Sequence, residues 1–156
     1  MAAPRLRALN LEDRDGVEAM ARGTGLFSDA EIAVALEVFD DGFIDPDYES
    51  AGVEIDGTLA GWACWGPTPN HAGTFDLYWI VVSRARQGLG LGALLLGEMG
   101  RRIAGRARTV LVETSGRPDY APTRAFYERE GYRQIGVEAG RYGPGDDLVR
   151  YAKDFT

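Results

Sequence analysis

The chain has 156 residues, of which 45% are hydrophobic and 26% charged, and it carries a formal net charge of −7. This length predicts one domain with a full hydrophobic core, and the composition is that of a globular protein rather than of a disordered chain. A single cysteine excludes an internal disulfide framework, no apolar run approaches the ~20 residues that span a bilayer, and the N-terminus lacks the pattern of a secretory signal. We therefore expect a cytoplasmic protein that does not act at a membrane.

The charges are distributed unevenly along the chain. Residues 23–83 contain eleven acidic side chains and no Lys or Arg, whereas residues 84–133 contain ten Arg and five acids. The first segment fits a solvated acidic surface and equally a surface that faces a cationic ligand. The second segment favours an anionic ligand. No basic patch is interleaved with aromatic residues, so we do not expect nucleic acid as a partner.

The first third of the chain predicts a short strand followed by two helices. Residues 5–9 form the strand, and Asn10 begins a helix that ends near Arg22. Ser28 and Glu31 form a capping box, in which each side chain satisfies a free backbone N–H at the start of the second helix. The apolar face of this second helix follows the spacing i, i+4, i+7 and i+11. Its members are Ile32, Leu36, Phe39 and Phe43.

The rest of the chain predicts a hairpin and then alternating strands and helices. Asp56-Gly57 separates two apolar runs, which is a strong signal for a tight hairpin turn. The predicted elements are strands 53–55, 59–65 and 75–82, helix 93–106, strand 109–114, helix 123–130, and strands 132–137 and 148–155 with a loop at 140–145. This order predicts a mixed α/β protein with a single domain over residues 1–156.

The most informative segment is Gln87-Gly88-Leu89-Gly90-Leu91-Gly92, between a predicted strand and a predicted helix. Alternate glycines before a helix N-terminus form a cradle of backbone N–H groups that suits an anion. Ala93 follows the last glycine where a P-loop needs Lys, which disfavours a triphosphate site. The glycine spacing and the late position in the chain disfavour a dinucleotide site. A tight turn without any ligand is the alternative reading.

The wider context resembles the GNAT superfamily of acetyl-CoA-dependent N-acetyltransferases. The matching pattern is Gln87-x-x-Gly90-x-Gly92 after Ile80-Val81-Val82, with Tyr127-Glu128-Arg129-Glu130-Gly131-Tyr132 further along the chain. The resemblance implies a central, mixed and mostly antiparallel sheet of six to seven strands flanked by about four helices. It also implies transfer of an acetyl group from acetyl-CoA, the cosubstrate, to a primary amine by direct attack in a ternary complex.

The resemblance implies a set of coenzyme contacts on this chain. In the family the glycine segment holds the pyrophosphate on backbone amides, and the preceding strand offers main-chain groups to the pantetheine arm. The implied contacts are Ile80, Val81, Val82, Gln87, Gly88, Leu89, Gly90, Leu91, Gly92, Tyr120, Arg124 and Tyr127. Tyr120 stands where many members carry an asparagine that touches the coenzyme, so this contact is changed or lost. Arg84 and Arg86 are further candidates for pairing with phosphate.

Three residues are candidates for the chemistry. Tyr127 matches the tyrosine that protonates the leaving sulfur, and a phenol of pKa ~10 lies close enough to a thiol of ~8.5 for this transfer. Asp76, a carboxylate in an apolar strand, is the preferred general base, because burial raises the pKa of an acid. Glu113 on the next strand is the competing base. A backbone N–H near Val82 is the expected donor to the oxyanion.

The expected class of acceptor rests only on the distribution of charge along the chain. The segment without Lys or Arg falls where the family binds its acceptor, so we expect a cationic small molecule or a basic peptide. We expect no metal, since the chain has one His, and a homodimer is compatible with the pattern. A non-catalytic acyl-CoA-binding module and a nucleotide-binding protein are the alternatives, and a nucleophilic pair of Cys64 and His71 is a third.

Overall fold

A computed structural model describes residues 2–155, which form seven strands and four α-helices. In chain order these are β1 Arg5–Arg7, α1 Arg14–Gly23, α2 Asp29–Asp41, β2 Glu49–Ile55, β3 Thr58–Pro67, β4 Thr74–Val82, α3 Leu91–Ile103, β5 Thr109–Ser115, α4 Ala121–Arg129, β6 Arg133–Gly143 and β7 Asp146–Asp154. Short 3-10 turns precede α1, α3 and α4. None of these helices is both long and apolar enough to cross a membrane.

The strands form one mixed sheet in the order β1-β2-β3-β4-β5-β7-β6. The pairs β1–β2, β2–β3, β5–β7 and β6–β7 are antiparallel, whereas β4 and β5 run parallel. The α/β class and the mixed, mostly antiparallel sheet with four helices are therefore confirmed. The parallel ladder joins Thr74–Asp76 of β4 to Thr109–Leu111 of β5, three residues from each strand.

The chain divides into two compact units. The first contains the residues up to Pro67 together with Leu77–Ala104. One apolar cluster of this unit is built from α1, α2, β3 and the end of β4. The cluster comprises Val17, Met20, Ala21, Ile32, Ala35, Leu36, Phe39, Trp62, Cys64 and Val81.

Two predicted helix starts in the first unit are confirmed as capping boxes. Asn10 and Asp13 exchange side-chain and backbone hydrogen bonds, and so do Ser28 and Glu31. The predicted apolar face of α2 is buried at Ile32, Leu36 and Phe39, and the ring of Phe43 lies 5.2 Å from that of Phe39. The helix ends at Asp41, and Phe43 lies beyond it with 42% of its surface exposed.

The hairpin at Asp56 and Gly57 is confirmed. Both residues have a positive φ, 53° and 78°, as a two-residue turn of type I′ requires. The strands on either side are longer than predicted, because β2 begins at Glu49 and β3 continues to Pro67. The first residues of β2 are polar and therefore did not predict a strand, but Glu49 pairs with Trp65 at the end of the ladder.

The second unit contains Thr68–Asp76 and the chain from Gly105 onwards. Here the predicted loop at residues 140–145 is wrong. β6 continues to Gly143, and only Pro144 and Gly145 separate it from β7. The glycines in this segment predicted a loop. They lie instead within the β6–β7 ladder, whose register is irregular between Glu138 and Gly143.

Candidate active site

The glycine segment is an open turn in front of α3. Gly88 and Gly90 have φ values of 80° and 77°, and a Cβ on either would meet no atom within 4 Å. Glycine is therefore required here for its conformation and not for lack of space. Gly90 is the N-cap of α3 and gives no side-chain cap. The first N–H groups of a 13-residue helix are left without a capping side chain, as an anion site requires.

The turn is bonded to the end of β4. The side-chain Nε2 of Gln87 lies 3.4 Å from the carbonyl oxygen of Val82. Of the other candidate contacts on β4, Val81 is buried, whereas Ile80 is half-buried. Within the turn, Leu89 is exposed and Leu91 is buried, so Leu91 contributes its backbone rather than its side chain to any ligand.

An aromatic pair lies beside acidic residues in the first unit. Tyr48 stacks on Tyr78 with ring centroids 4.9 Å apart and an interplanar angle of 19°. Burial raises the pKa of the Tyr48 hydroxyl, and the negative charges of Asp41 and Asp45 raise it further. This region combines the ring faces and the negative charge that favour a cation. The sequence indicated the charge of this region but not the stacking of Tyr48 on Tyr78.

Asp76 is a half-buried carboxylate in β4 of the second unit. Burial raises its pKa, because removal from water disfavours the charged form. The neighbouring Thr68 hydroxyl lowers the pKa of Asp76. The Oγ1 atom of Thr68 nevertheless makes no hydrogen bond of normal geometry to any described residue. The charge of Glu113 raises the pKa of Asp76, and those of His71 and Arg150 lower it. The raised pKa of Asp76 agrees with the expectation for a carboxylate in an apolar strand.

Glu113, the competing candidate for the base, forms an ion pair with Arg150. It lies opposite Arg150 in the antiparallel β5–β7 ladder. Nε of Arg150 donates to Oε2 of Glu113 at 3.1 Å, and a second guanidinium nitrogen contacts the same oxygen. Arg150 was not among the site residues predicted from the sequence. The only local signal is a charged residue within the apolar run of β7.

Tyr127 is buried in α4 with 5% of its surface exposed. Its ring contacts those of Phe126, Tyr132 and Tyr151 at centroid distances of 5.4, 5.8 and 6.0 Å. Burial raises the pKa of its hydroxyl well above the usual range, so the group stays protonated at neutral pH. Tyr120 is also buried and acts electrostatically on Tyr127, so the structure brings these two predicted residues together.

A family model described as an acetyltransferase (GNAT) domain matches residues 46–134, more than half of the chain. A solved structure from Desulfovibrio desulfuricans, assigned to the GNAT family of acetyltransferases, is 39% identical in sequence. The match covers 97% of this chain and 99% of that chain, with a TM-score of 0.90.

The chain belongs to the GNAT acetyltransferase family. It is accordingly an acyltransferase. More distant structures share the fold of this GNAT protein. The ribosomal-protein-S18-alanine N-acetyltransferase from Escherichia coli is 18% identical, covering 99% of this chain and 95% of that chain with a TM-score of 0.77. PaiA N-acetyltransferase from Thermoplasma acidophilum, solved in complex with coenzyme A, is 16% identical, covering 99% and 100% with a TM-score of 0.77. A search of functionally curated proteins finds no match.

One predicted coenzyme contact of the GNAT protein has a local structural role. A terminal nitrogen of Arg124 donates to the carbonyl oxygens of Ser115 and Arg117, each at 2.8 Å. These bonds hold the turn between β5 and α4. Arg124 as a phosphate ligand stays a prediction, and so do Arg84 and Arg86.

The remaining reactive groups give no support to other chemistry. Cys64 is fully buried, and burial raises its pKa to about 12, so its thiolate is scarce at neutral pH. Among residues 2–155, no group of three or more His, Cys, Asp or Glu side chains is arranged to hold a metal ion.

Proposed function

We propose that this acyltransferase moves an acetyl group from acetyl-CoA to the primary amine of a cationic small molecule or basic peptide, by direct attack in a ternary complex. The observation that carries the proposal is the uncapped start of α3 behind two glycines with positive φ. That turn exposes backbone donors, fits a pyrophosphate and lacks the Lys of a triphosphate site. The single acetyltransferase domain over residues 1–156 is part of the same proposal.

In this proposal the coenzyme contacts are mainly main-chain groups. N–H groups at the start of α3 and in the turn hold the pyrophosphate. The backbone of Ile80, Val81 and Val82 binds the pantetheine arm, and an N–H near Val82 stabilises the developing oxyanion. Acetyl-CoA, when bound, supplies an activated thioester carbonyl. The amine nitrogen adds to this carbon, and the resulting oxyanion expels the sulfur as the bond from carbon to sulfur breaks. The proton that the nitrogen loses on becoming an amide passes to the departing sulfur, so the products are the acetylated amine and the free thiol of coenzyme A.

Two side chains manage the protons. Asp76 accepts a proton from the acceptor ammonium, directly or through water, and leaves a neutral amine that can attack. Its raised pKa brings it closer to that of the amine than an exposed carboxylate would be. Tyr127 donates a hydrogen bond to the departing sulfur. Its own high pKa favours hydrogen-bond donation over complete loss of the proton.

The acceptor class rests on charge and aromatic character. Tyr48 and Tyr78 offer stacked ring faces beside Asp41 and Asp45, and an ammonium group is attracted to both features. A basic or polyamine-like acceptor fits this region better than an anionic amine.

Two measurements test the proposal. Acetyl-CoA is expected to raise the melting temperature more than ATP or NAD, since a ligand at 100 times its Kd adds ~2.7 kcal/mol of stability. An amine panel is then screened for release of free coenzyme A thiol. Thiol release with cationic amines supports the proposal. Stabilisation without thiol release for any amine would point instead to an acyl-CoA-binding module.

A further inference from the structure

The charged surroundings of Asp76 come from three separate parts of the second unit. Thr68 and His71 belong to the segment before β4, Glu113 to β5 and Arg150 to β7. Among the described residues, these are the polar and charged side chains that act on the Asp76 carboxylate. The side chains of Glu113 and Arg150 form an ion pair.

The sheet register places the ion pair on the same face as Asp76. Asp76 lies opposite Leu111 in the parallel β4–β5 ladder, and Glu113 is two residues further along β5. Residues two apart on a strand share a face, so Asp76, Leu111 and Glu113 point to the same side. Val110, Val112 and Thr114 are buried on the other side.

Arg150 completes the arrangement because it lies directly opposite Glu113 in the antiparallel ladder. The two side chains are 34% and 47% exposed, so water and salt reach the pair from one side. Tyr142 of β6, which is exposed, is close enough for both charges to act on the pKa of its hydroxyl. The pair is therefore a fixed, nearly neutral unit on one face of the sheet.

We propose that the Glu113–Arg150 pair is a positioning element of the proposed acetyl-transfer site, which holds two opposite charges in balance beside Asp76 so that the carboxylate can accept the acceptor's proton. The inference rests on the proposed role of Asp76 as the base. It assigns Glu113 to the surroundings of the base rather than to the base itself. In wild type Glu113 and Arg150 act on Asp76 in opposite directions, since the first raises and the second lowers its pKa.

Removing one partner destroys this balance in a predictable direction. Arg150→Gln leaves Glu113 as an uncompensated negative charge, so the pKa of Asp76 rises. Glu113→Gln leaves Arg150 unpaired, so the pKa of Asp76 falls. The double variant removes both charges and returns the titration close to wild type. We expect shifts of roughly half a pH unit for the single variants, since the charges are partly exposed to water.

The test is a carboxyl ¹³C NMR titration of Asp76 in the purified protein without acceptor. It compares wild type, Arg150→Gln, Glu113→Gln and the double variant, each at low and at high salt. High salt is expected to diminish the shifts of the single variants and to leave wild type nearly unchanged. The matched control is Arg133→Gln, which breaks the exposed β6–β7 pair with Asp154 (3.3 Å) and should leave the Asp76 titration in place.

The outcomes separate this inference from the proposed function. Opposite shifts in the two single variants, cancelled in the double variant, support it even if no amine is acetylated. An Asp76 titration that is identical in all four proteins would make the pair purely structural and overturn it. Once an acceptor is found, the acidic limb of kcat/KM should move in the same directions. Complete loss of that limb in Glu113→Gln would identify Glu113 as the base and also overturn the inference.

Discussion

The side-chain amide of Gln87 lies 3.4 Å from the carbonyl oxygen of Val82, which connects the start of the glycine turn to the last residue of β4. Gly88 and Gly90 then take positive φ values before α3 begins. Contacts and backbone angles within the chain thus define the shape of the turn. Such preorganisation lowers the cost of binding an anion on backbone N–H groups.

Gly90→Ala is expected to weaken coenzyme binding. An alanine at φ 77° costs roughly 1–2 kcal/mol, and the turn can relieve this strain only by moving its N–H groups. Isothermal titration with coenzyme A should show a weaker Kd. The matched control is Gly97→Ala within α3, where a Cβ meets nothing within 4 Å and helix propensity predicts a gain of ~0.5–1 kcal/mol. Wild-type affinity in Gly90→Ala would argue against the turn as the pyrophosphate site.

Tyr127→Phe is expected to lower kcat strongly, by ~10²-fold if the hydroxyl acts on the leaving sulfur. The affinity for coenzyme A should change little, because the buried ring stays in place. Stopped-flow thiol release and binding titration measure the two effects separately. The control is Tyr132→Phe, whose hydroxyl is buried without a hydrogen-bond partner among residues 2–155, so its loss should alter neither quantity. Equal turnover in both variants would exclude Tyr127 from the chemistry.

Asp76→Asn is expected to remove the acidic limb of the pH profile of kcat/KM. In wild type that rate should fall as the pH drops through the raised pKa of Asp76, because the protonated carboxyl accepts no further proton. The profile is measured with the best amine of the panel from acidic to neutral pH. A variant that retains the wild-type acidic limb would show that another group is the base.

The same substitution makes a prediction about stability. The pKa of Asp76 is higher in the folded chain than in the unfolded chain, so the folded state binds more protons between the two values. Stability therefore decreases as the pH rises through this window. Asp76→Asn should gain stability relative to wild type near neutral pH, and the gain should vanish below the unfolded pKa. Urea unfolding at both pH values provides the comparison.

The role of the acidic segment in acceptor binding is tested by removing two of its charges and measuring KM for cationic acceptors. The double variant Asp41→Asn/Asp45→Asn should raise KM for cationic acceptors and leave kcat nearly constant, since these charges act on Tyr48 rather than on the reacting atoms. Added salt should diminish the difference between the two proteins. Asp56→Asn is the control, because it removes a charge at the exposed β2–β3 turn, where asparagine tolerates a φ of 53°. Equal effects of both variants would indicate a general charge effect.

Local patterns predicted much of the fold and of the turn in the site. The capping boxes, the Asp56-Gly57 hairpin and the glycine turn each depend on residues a few positions apart, so their physical cause is visible in the sequence. The errors arise where packing overrides such a pattern. The glycine-rich part of β6 was predicted as a loop, yet β7 holds it in a ladder.

By itself, the sequence determined the mixed α/β class, the GNAT resemblance and the candidates Tyr127, Asp76 and Glu113. Only the tertiary structure decided that Glu113 pairs with Arg150, 37 residues away. The partner of a strand residue depends on a register that is set by hydrogen bonds and packing along the whole ladder, and no local spacing encodes it. The order β5-β7-β6 therefore had to be known before the charges around Asp76 could be identified.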